Sequence, residues 1–333
     1  MPADARGLGR EALRWMEELR AGALLPAEMD HGEAESWLPG LIDVLRLLEH
    51  RYYVEDDPLA ADADYDLLYR ALKTIEERFP ELVRDDSPTQ RIHAGLVKEF
   101  PEAEHLAPML SLDNAVSQRD LRLFHLSILE GLGLLRGGKV AQAWRERVKA
   151  GEEAPEEPAP TQQGLFDEDD EGARPDFFEA IRGAGLRYAV EPKLDGAGIA
   201  LLYEGGRLVR GATRGDGRVG DDITANVRTI RALPLSFDAE RSGIRRMEVR
   251  GEAVILLKSF EALNADLLER GREPFANPRN AASGGLRLQD PAEVARRRIT
   301  AFLYHVSHLE LADGANPAER FPSQSSRVEL LKS

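Results

Sequence analysis

One lysine stands in a setting that could support nucleophilic chemistry. Lys193 lies in the string RYAVEPKLDG, between an extended apolar run and Gly196, which frees the backbone to enter a new strand. A lysine amine attacks phosphorus only when it is neutral, so a site that uses it must supply burial, nearby cations or a base. The neighbouring carboxylates Glu191 and Asp195 act against this. Taken alone, KLDG is more typical of a surface lysine paired with Asp195 at a strand end.

A second set of chemical groups lies upstream, on a predicted helix. Asp62 is predicted to open this helix, and Tyr65 and Asp66 follow at helical spacing, so all three side chains project from one face. Two carboxylates on one face repel each other, and a bound cation beside the faces of Tyr65 and Tyr52 would relieve that repulsion. Alternatively, Asp62 caps the helix and Asp66 complements the helix dipole.

The composition limits the classes of protein and of site. The 333 residues are 42% hydrophobic, which suits one large and one small domain. No apolar run approaches the ~20 residues that cross a bilayer, and the N-terminus lacks a signal pattern, so we expect a cytoplasmic protein with no membrane contact. The chain has no cysteine, which excludes a disulfide or a thiolate zinc site in it. Any metal is expected to be a hard ion carried by phosphates.

The net charge of −15 argues against a main surface that grips a phosphate backbone. Part of this charge is local, because the stretch from Glu152 to Glu171 holds nine acidic residues and no basic one. Residues 136–174 are rich in Pro, Glu, Asp, Gln and Gly, a composition that buries too little apolar surface to order itself. We therefore expect an acidic disordered insert over about 136–174, and the total charge does not exclude DNA.

Helical periodicity marks the chain before the insert. A first helix is predicted to begin at Pro39, with apolar residues at helical spacing at Leu41, Val44, Leu45 and Leu48. A second helix carries the same pattern at Leu68, Leu72, Ile75 and Phe79. The first ~30 residues are expected to form an added helix.

Strand patterns follow the insert. AGIALLY and RLVRGATR flank the turn at 204–206, a β-hairpin signal, while MEVRGEAVIL and ITAFLYHV predict further strands and SFEALNADLLER a helix. These runs lack regular βα pairing, so we predict an α+β fold with antiparallel sheets. Residues 215–220 match the GxGxxG dinucleotide fingerprint, but Pro234 interrupts the helix that this fingerprint needs and no second strand ends in the required acid. A Rossmann fold therefore fits poorly.

Other sequence motifs accompany the KLDG string and indicate a family. KLDG resembles the KxDG adenylation motif of the nucleotidyltransferases, the superfamily of DNA ligases, RNA ligases and mRNA capping enzymes. Four further blocks narrow the resemblance to the bacterial NAD-dependent DNA ligases. They are HRYYVEDDPLAADADYDLLYRAL; DSPTQRI with PMLSLDN; ATRGDGRVGDDITANVRTI with VRGEAV; and FANPRNAASGGLR. With KLDG they cover most of residues 36–306, too much in one order for coincidence.

The resemblance implies a small N-terminal helical domain followed by a nucleotidyltransferase (ATP-grasp-like) domain with antiparallel sheets. Residues 1–35 would be an N-terminal extension, 36–95 a helical domain that binds nicotinamide mononucleotide (NMN), and 96–333 the adenylation domain. The family pattern continues with a DGVVIK-like block, a later lysine, an oligonucleotide-binding fold, a four-cysteine zinc finger, a helix-hairpin-helix array and a BRCT domain. We find none of these after Tyr304, so we expect a truncated ligase whose adenylation domain is incomplete at its C-terminus. Such a chain is expected to bind NAD but to be impaired in adenylation and unable to seal nicks alone.

The resemblance also assigns roles in the adenylation domain. Lys193 would form the covalent lysyl-AMP, and Arg214 would contact the sugar or phosphate of the nucleotide. Glu252 would bind the ribose hydroxyls and Glu191 the adenine side of the pocket. Taken singly, Arg214 is equally an ordinary hairpin arginine, and either glutamate a solvated strand carboxylate.

Five further positions match the family on the nucleotide or DNA side. Ser111 and Leu112 resemble adenosine-site residues, and Tyr304 resembles the aromatic platform for adenine, with a merely buried tyrosine as the alternative. Arg279 and Arg287 match arginines that would face phosphate or the nicked strand. Each arginine alone is more typical of a surface charge.

The helical domain decides the adenylate donor, because such a domain separates NAD-dependent from ATP-dependent ligases. The resemblance assigns the nicotinamide half of NAD to Tyr52, Tyr53, Asp62, Tyr65 and Asp66, where a positively charged ring would meet tyrosine faces. Tyr53 stands where family members often have His, so the contact there is expected to be weaker or differently arranged.

The implied reaction has three steps, in DNA replication and repair at the nucleoid. Lys193 displaces NMN from NAD, AMP passes to the 5′-phosphate of a nick in double-stranded DNA, and the 3′-hydroxyl expels AMP, with Mg²⁺ assisting. An alternative is a non-catalytic NAD-binding or interaction module derived from a ligase. Gln162, Leu165 and Phe166 resemble a short peptide that docks on the sliding clamp, with chance occurrence in a Gln-rich linker as the alternative.

Overall fold

The computed structural model describes residues 5–22, 24–55, 57–92, 96–97, 99–110, 114–131 and 188–332. They divide into two compact units, one formed by Met1–Met109 with Pro192–Ser333 and the other by Leu110–Glu191. The whole acidic segment 136–174, including Gln162, Leu165 and Phe166, lies outside the described residues. No helix in the described ranges is long and apolar enough to span a membrane.

Helices and strands within the first unit, with one helix of the second, are named here in chain order. The helices are α1 Ala5–Arg20, α2 His31–Tyr53, α3 Asp62–Arg78, α4 Gln118–Gly131, α5 Thr224–Val227, α6 Ala239–Ser242, α7 Leu257–Glu269, α8 Pro278–Leu286, α9 Pro291–Arg296, α10 Pro317–Arg320 and α11 Gln324–Leu330. The strands are β1 Glu102–Glu104, β2 Ala197–Glu204, β3 Arg207–Thr213, β4 Val219–Asp221, β5 Ile244–Val254 and β6 Thr300–Leu311. Short 3₁₀ turns cover Pro80–Leu82 and Pro88–Ile92.

Helices α1, α2 and α3 share one apolar core. The predicted second helix is confirmed as α3, with Leu68, Leu72 and Ile75 buried in that core. The expected added helix is confirmed as α1, and its Trp15 packs so closely on α2 that a methyl group at Gly40 would lie 2.8 Å from the indole Cη2 atom. The N-terminal helix is therefore part of this helical core.

The start predicted for the first helix at Pro39 is wrong. Helix α2 begins at His31 because Asp30 and Glu33 form a capping box, with Asp30 Oδ1 accepting from the Glu33 amide at 2.8 Å and Glu33 Oε2 accepting from the Asp30 amide at 2.9 Å. Pro39 lies inside the helix. The capping signal upstream outweighed the preference of proline for a first helical position.

A four-stranded antiparallel sheet with the order β3-β2-β5-β6 forms the centre of the part of the chain that follows residue 188. The predicted hairpin at 204–206 is confirmed as the β2–β3 turn, and the other two predicted strands are confirmed as β5 and β6. One face of the sheet packs on a buried cluster that includes Ile199, Leu201, Tyr203, Val249 and Val306. The α+β prediction with antiparallel sheets is therefore correct.

The GxGxxG match at 215–220 covers most of the tight turn between β3 and β4 and the first two residues of β4, so the match is a coincidence. Gly215 and Gly217 adopt φ values of +54° and +97°, in the region that favours glycine. Strand β4 follows at once and pairs with β1, so no helix opens at this glycine-rich stretch. The dinucleotide-binding strand–turn–helix is thus not formed here.

The opposite face of the sheet is partly covered by residues 105–109. The Leu106 amide donates to Glu248 Oε2 at 2.8 Å, Arg250 Nη1 donates to the Pro108 carbonyl at 2.9 Å, and the Met109 amide donates to the Gly217 carbonyl at 2.7 Å. Glu248 and Arg250 alternate with core residues on β5, so this strand presents charged side chains on the second face. It is the face on which the candidate site lies.

Candidate active site

Lys193 lies four residues before Ala197, the first residue of β2, and is exposed. Gly196 fixes this position, because a Cβ atom there would lie 2.3 Å from the Ala253 carbonyl oxygen and 2.9 Å from Glu252 Cγ. Only glycine lets the chain enter β2 so close to β5. The prediction of a glycine that opens a strand after the lysine is confirmed.

Strand register brings Glu252 and Arg214 to the same small area. Gly198 pairs with Glu252 across β2 and β5. A Cβ atom at Gly198 would lie 3.7 Å from Arg214 Cβ, 3.7 Å from Met109 Cε and 3.9 Å from Glu252 Oε2. The missing side chain at Gly198 therefore leaves a small space lined by two residues that the sequence assigned to the nucleotide.

Arg279 reaches the lysine segment from α8. Its Nη1 atom lies 3.1 Å from Asp195 Oδ1, and both side chains are largely exposed. Asn277 caps this helix by accepting a hydrogen bond from the Asn280 amide at 2.8 Å, and Pro278 occupies its first turn. The cap fixes the start of α8 and so places Arg279 beside Asp195.

The pKa of Glu252 depends on burial and on neighbouring charges. Burial raises the pKa of Glu252, while a hydrogen bond from the Gly196 amide and the positive charges of Arg279 and Lys193 act in the opposite direction. Glu252 is half-buried. The charges of Lys193 and Arg279 thus both act on Glu252, and these three residues are called the electrostatic cluster at the start of β2.

The structure describes the other predicted nucleotide residues in varying detail. Tyr304 is half-buried in a bulge of β6 opposite Arg250 and Gly251, and its carbonyl accepts a hydrogen bond from Gln324 Nε2 at 2.8 Å. Glu191 is exposed at the end of the second unit. Ser111 and Leu112 lie outside the described residues. Their nucleotide contacts remain predictions.

Arg287 lies at the end of α8 and forms a different contact. Its Nη2 atom is 2.9 Å from Asp221 Oδ2 on β4. Both side chains are partly exposed. The role predicted for Arg287 toward phosphate or the nicked strand remains a prediction.

Tyrosine faces in the helical part already contact a cation. The guanidinium carbon of Arg231 lies 5.6 Å from the ring centre of Tyr53 and 5.8 Å from that of Tyr65, and its Nη1 atom donates to the Tyr53 hydroxyl at 2.9 Å. The Tyr65 hydroxyl donates to Glu49 Oε1 at 2.9 Å. These two rings therefore present their faces in a way that suits a positive charge.

The remaining residues predicted for the nicotinamide side border these rings. The exposed Tyr52 ring lies 4.7 Å from the Tyr53 ring, centre to centre, and Asp62 and Asp66 are exposed on α3. Helix α3 begins at Asp62, as predicted, but Ala61 is its N-cap residue and no side chain caps it. The alternative role of Asp62 as a cap is therefore wrong, which leaves its carboxylate available on the helix surface.

Three residues of this region were given no role by sequence reasoning. Glu49 and Arg91 are buried and ion-paired, and Arg231 lies over the tyrosines. Glu49 had a usable signal, because an acid four residues after the core residue Leu45 needs a buried partner. Arg231 had none, since its neighbours are far away in the sequence.

Comparisons with known proteins identify the family of the chain. The family model for the NAD-dependent DNA ligase adenylation domain matches residues 176–333, and that for the DNA ligase-like, N-terminal NAD⁺-binding domain matches residues 33–93. The chain belongs to the NAD-dependent DNA ligase family. The first matched segment contains the electrostatic cluster with Lys193, and the second contains Tyr52, Tyr53 and Tyr65.

Curated relatives are similar to this chain over most of its length. The DNA ligase of Persephonella marina is 44% identical over 284 residues, which are 85% of this chain and 33% of that protein. The DNA ligase of Aquifex aeolicus is 41% identical over 90% of this chain and 34% of its own length. The DNA ligase of Rubrobacter xylanophilus is 42% identical over 90% of this chain and 36% of its own length. The chain thus spans about a third of the curated relatives it matches.

Proposed function

We propose that this chain carries out the first step of DNA ligation, the transfer of AMP from NAD to Lys193. The observation that carries the proposal is the electrostatic cluster of Lys193, Arg279 and Glu252 at the start of β2, with Arg214 across the space at Gly198. An amine beside an arginine and a carboxylate suits nucleotidyl transfer, a reaction in which the amine attacks in its neutral form.

The proposed step is a displacement at phosphorus. The neutral Nζ atom of Lys193 attacks the phosphorus on the AMP side of the NAD pyrophosphate. A P–N bond forms, the P–O bond to the NMN phosphate breaks, the electron pair leaves with NMN, and the amine proton passes to water. The products are lysyl-AMP and free NMN, so atoms and charge balance.

Each neighbour has a proposed part in this step. Arg279 offsets the negative charge of Asp195 beside the amine, and its forked cation suits charge that develops on phosphate oxygens. Arg214 binds the sugar or phosphate, and Glu252 accepts hydrogen bonds from the ribose hydroxyls. Glu191, Tyr304, Ser111 and Leu112 are proposed for the adenine side.

The tyrosine group takes the other half of the donor in this proposal. Tyr52, Tyr53 and Tyr65 offer ring faces to the cationic nicotinamide, with Asp62 and Asp66 adding negative charge nearby. The position of Arg231 over two of these rings supports a site that favours cations.

Mg²⁺ would stabilise negative charge on the phosphate oxygens during the transfer. In the part of the chain that the structure describes, no three acidic or histidine side chains gather closely enough to hold a metal ion. The phosphates of NAD are therefore the proposed carriers of the ion. In the complete ligase, AMP then passes to the 5′-phosphate of nicked double-stranded DNA and the 3′-hydroxyl seals the nick, with Arg287 proposed to face the DNA.

The test is to incubate the purified chain with Mg²⁺ and NAD labelled in its adenine ring, and to measure the intact mass and the labelled peptide. We expect one adenylyl group on the peptide that contains Lys193, and release of NMN. Lys193→Ala should give no adduct, and ATP should not replace NAD. An adduct on another lysine, or equal labelling from ATP, would contradict the proposal.

A further inference from the structure

A buried glutamate lies where the helical core would favour an apolar residue. Glu49 is 3% exposed and follows Leu45 by one helical turn on α2. A buried carboxylate is costly unless a cation and hydrogen bonds compensate it. Arg91, 7% exposed, supplies the cation, with its Nη2 atom 2.9 Å from Glu49 Oε2. A fold retains such a pair at some cost to stability.

The second oxygen of Glu49 holds a tyrosine of the proposed nicotinamide site. Its Oε1 atom accepts a hydrogen bond from the Tyr65 hydroxyl at 2.9 Å. Burial, followed by the negative charge of Glu49, raises the pKa of Tyr65, so the hydroxyl stays protonated and remains the donor. The hydrogen bond therefore fixes the end of the Tyr65 ring.

The other amino group of Arg91 holds a turn of the adenylation half. Its Nη1 atom donates to the carbonyls of Arg228 at 3.2 Å, Ile230 at 3.3 Å and Leu233 at 3.1 Å. This turn, residues 228–233, carries Arg231, whose guanidinium lies over the rings of Tyr53 and Tyr65. Arg91 is thus linked to Tyr65 through Glu49 and directly contacts the turn that carries Arg231.

We infer that Arg91 is a positioning residue for the nicotinamide half of the donor, because it sets the spacing between Tyr65 and the 228–233 turn. The inference deepens the proposed function and rests on it. Arg91 acts through its neighbours: Glu49 orients the ring that receives the cation, and the turn sets how far Arg231 reaches over that ring. A lysine at this position would keep the charge but could not span both contacts with its single amine.

A second buried pair in the same chain offers a matched control. Arg250 is 9% exposed, pairs with Glu248, which is 1% exposed, and also donates to two backbone carbonyls, those of Ala107 and Pro108. Its chemistry and burial resemble those of Arg91, but its contacts do not include the tyrosines. Arg250→Lys therefore reports the general loss of stability from shortening a buried arginine.

The experiment measures binding of NMN and of ADP-ribose by calorimetry in the wild-type chain, Arg91→Lys, Glu49→Gln and Arg250→Lys, with the thermal midpoint of each. We expect Arg91→Lys to bind NMN about tenfold more weakly than wild type, because hydrogen bonds from Arg91 to Glu49 and to the 228–233 turn are lost. Its affinity for ADP-ribose should be unchanged. Glu49→Gln, which keeps the side-chain size, should show the same selective loss. Arg250→Lys should lose stability without losing NMN affinity.

A measurement without ligand accompanies the binding data. Amide hydrogen exchange in residues 228–233 should be faster in Arg91→Lys than in wild type and in Arg250→Lys. Unchanged NMN affinity in Arg91→Lys, or equal losses for NMN and ADP-ribose, would overturn the inference while leaving the proposed function standing. A wild-type chain that binds neither NMN nor NAD would overturn the proposed function and the role of Arg91 together, whatever the exchange rates show.

Discussion

Arg279 and Asp195 form an ion pair with 3.1 Å between Nη1 and Oδ1, although 84 residues separate them in the sequence. The pair ties α8 to the residue two positions after Lys193. Both side chains are more than half exposed, and exposed ion pairs add little to the free energy of folding. We therefore expect the Arg279–Asp195 pair to affect the adenylation of Lys193 more than the stability of the fold.

Replacing Arg279 with Ala should slow adenylation about 100-fold, the usual effect of removing one group that stabilises developing charge on oxygen. The free energy of unfolding should change by less than about 1 kcal/mol. Single-turnover labelling with NAD measures the first and urea unfolding the second. Arg270→Ala removes a comparably exposed arginine that pairs with Asp266 at 2.7 Å on α7, and it should affect neither. Wild-type labelling by Arg279→Ala would remove this residue from the proposed step.

Gly196→Ala should destabilise the fold by about 2–4 kcal/mol, because the new methyl group would lie 2.3 Å from the Ala253 carbonyl, a backbone atom that cannot rotate away. Urea unfolding measures the loss. Gly284→Ala is the control, since nothing lies within 4 Å of its Cβ position on α8, and it should stabilise by up to about 1 kcal/mol. Equal stability of the two variants would show that β2 can enter the sheet without a glycine.

Asp86→Asn should cost about 3 kcal/mol at neutral pH. Asp86 is buried and accepts hydrogen bonds from Arg84 at 3.0 Å, Arg46 at 2.6 Å and Ser236 at 2.7 Å. Burial alone would raise the pKa of Asp86, but these three hydrogen bonds outweigh it and hold the pKa well below its usual range.

A lowered pKa gives this contribution a definite pH dependence. The stabilisation is present above the pKa of an unfolded aspartate, about 3.9, and is lost as the pH falls through the lower folded value. Urea unfolding from pH 8 to pH 3 should therefore show a constant difference between wild type and Asp86→Asn down to about pH 5, and a shrinking one below about pH 4. Asp85→Asn changes an exposed carboxylate and should have little effect. A difference that grows toward acid pH would contradict the assignment.

Glu252→Gln should separate stability from function. Because burial raises the pKa of Glu252, its ionised form is disfavoured in the folded state, and this cost is absent below the pKa and appears as the pH rises through it. The Gln variant should therefore be slightly more stable at pH 7, by less than about 1 kcal/mol for a half-buried group, with no gain near pH 3. Its adenylation should be slower. Glu261→Gln, on exposed α7 surface, should change neither; a variant that is less stable at pH 7 would argue that Glu252 is held by favourable contacts.

Local patterns in the sequence predicted much of the fold. Period-two alternation and the Gly205–Gly206 turn identified the β2–β3 hairpin, and helical spacing identified α3, because these signals depend on neighbours within a few residues. The error at Pro39 arose because two local signals each marked a possible start of α2. The reciprocal hydrogen bonds of Asp30 and Glu33 set the actual start at His31. Register across β2 and β5, which brings Glu252 to Gly198, could not be deduced from either strand alone.

The candidate site divides in the same way. Lys193 was identified from its own motif, whereas Arg231 was missed because its partner Tyr53 is 178 residues away. Contacts of that kind depend on how two distant segments pack, and no periodicity within either segment encodes them. Glu49 is intermediate: its buried charge is visible in the pattern of α2, but its partner Arg91 is not.

The cover formed by residues 105–109 has a consequence for synthesis on the ribosome. Leu106 binds Glu248, which is 142 positions later, so at ~5–20 residues per second the segment emerges roughly 7–28 s before its acceptor exists. During that interval helices α1 to α3 can already assemble from their own short-range contacts. The rate of translation downstream of the helical part thus sets how long residues 105–109 remain without their partner on β5. A ribosome stalled before β5 would leave this segment exposed to chaperones or proteases.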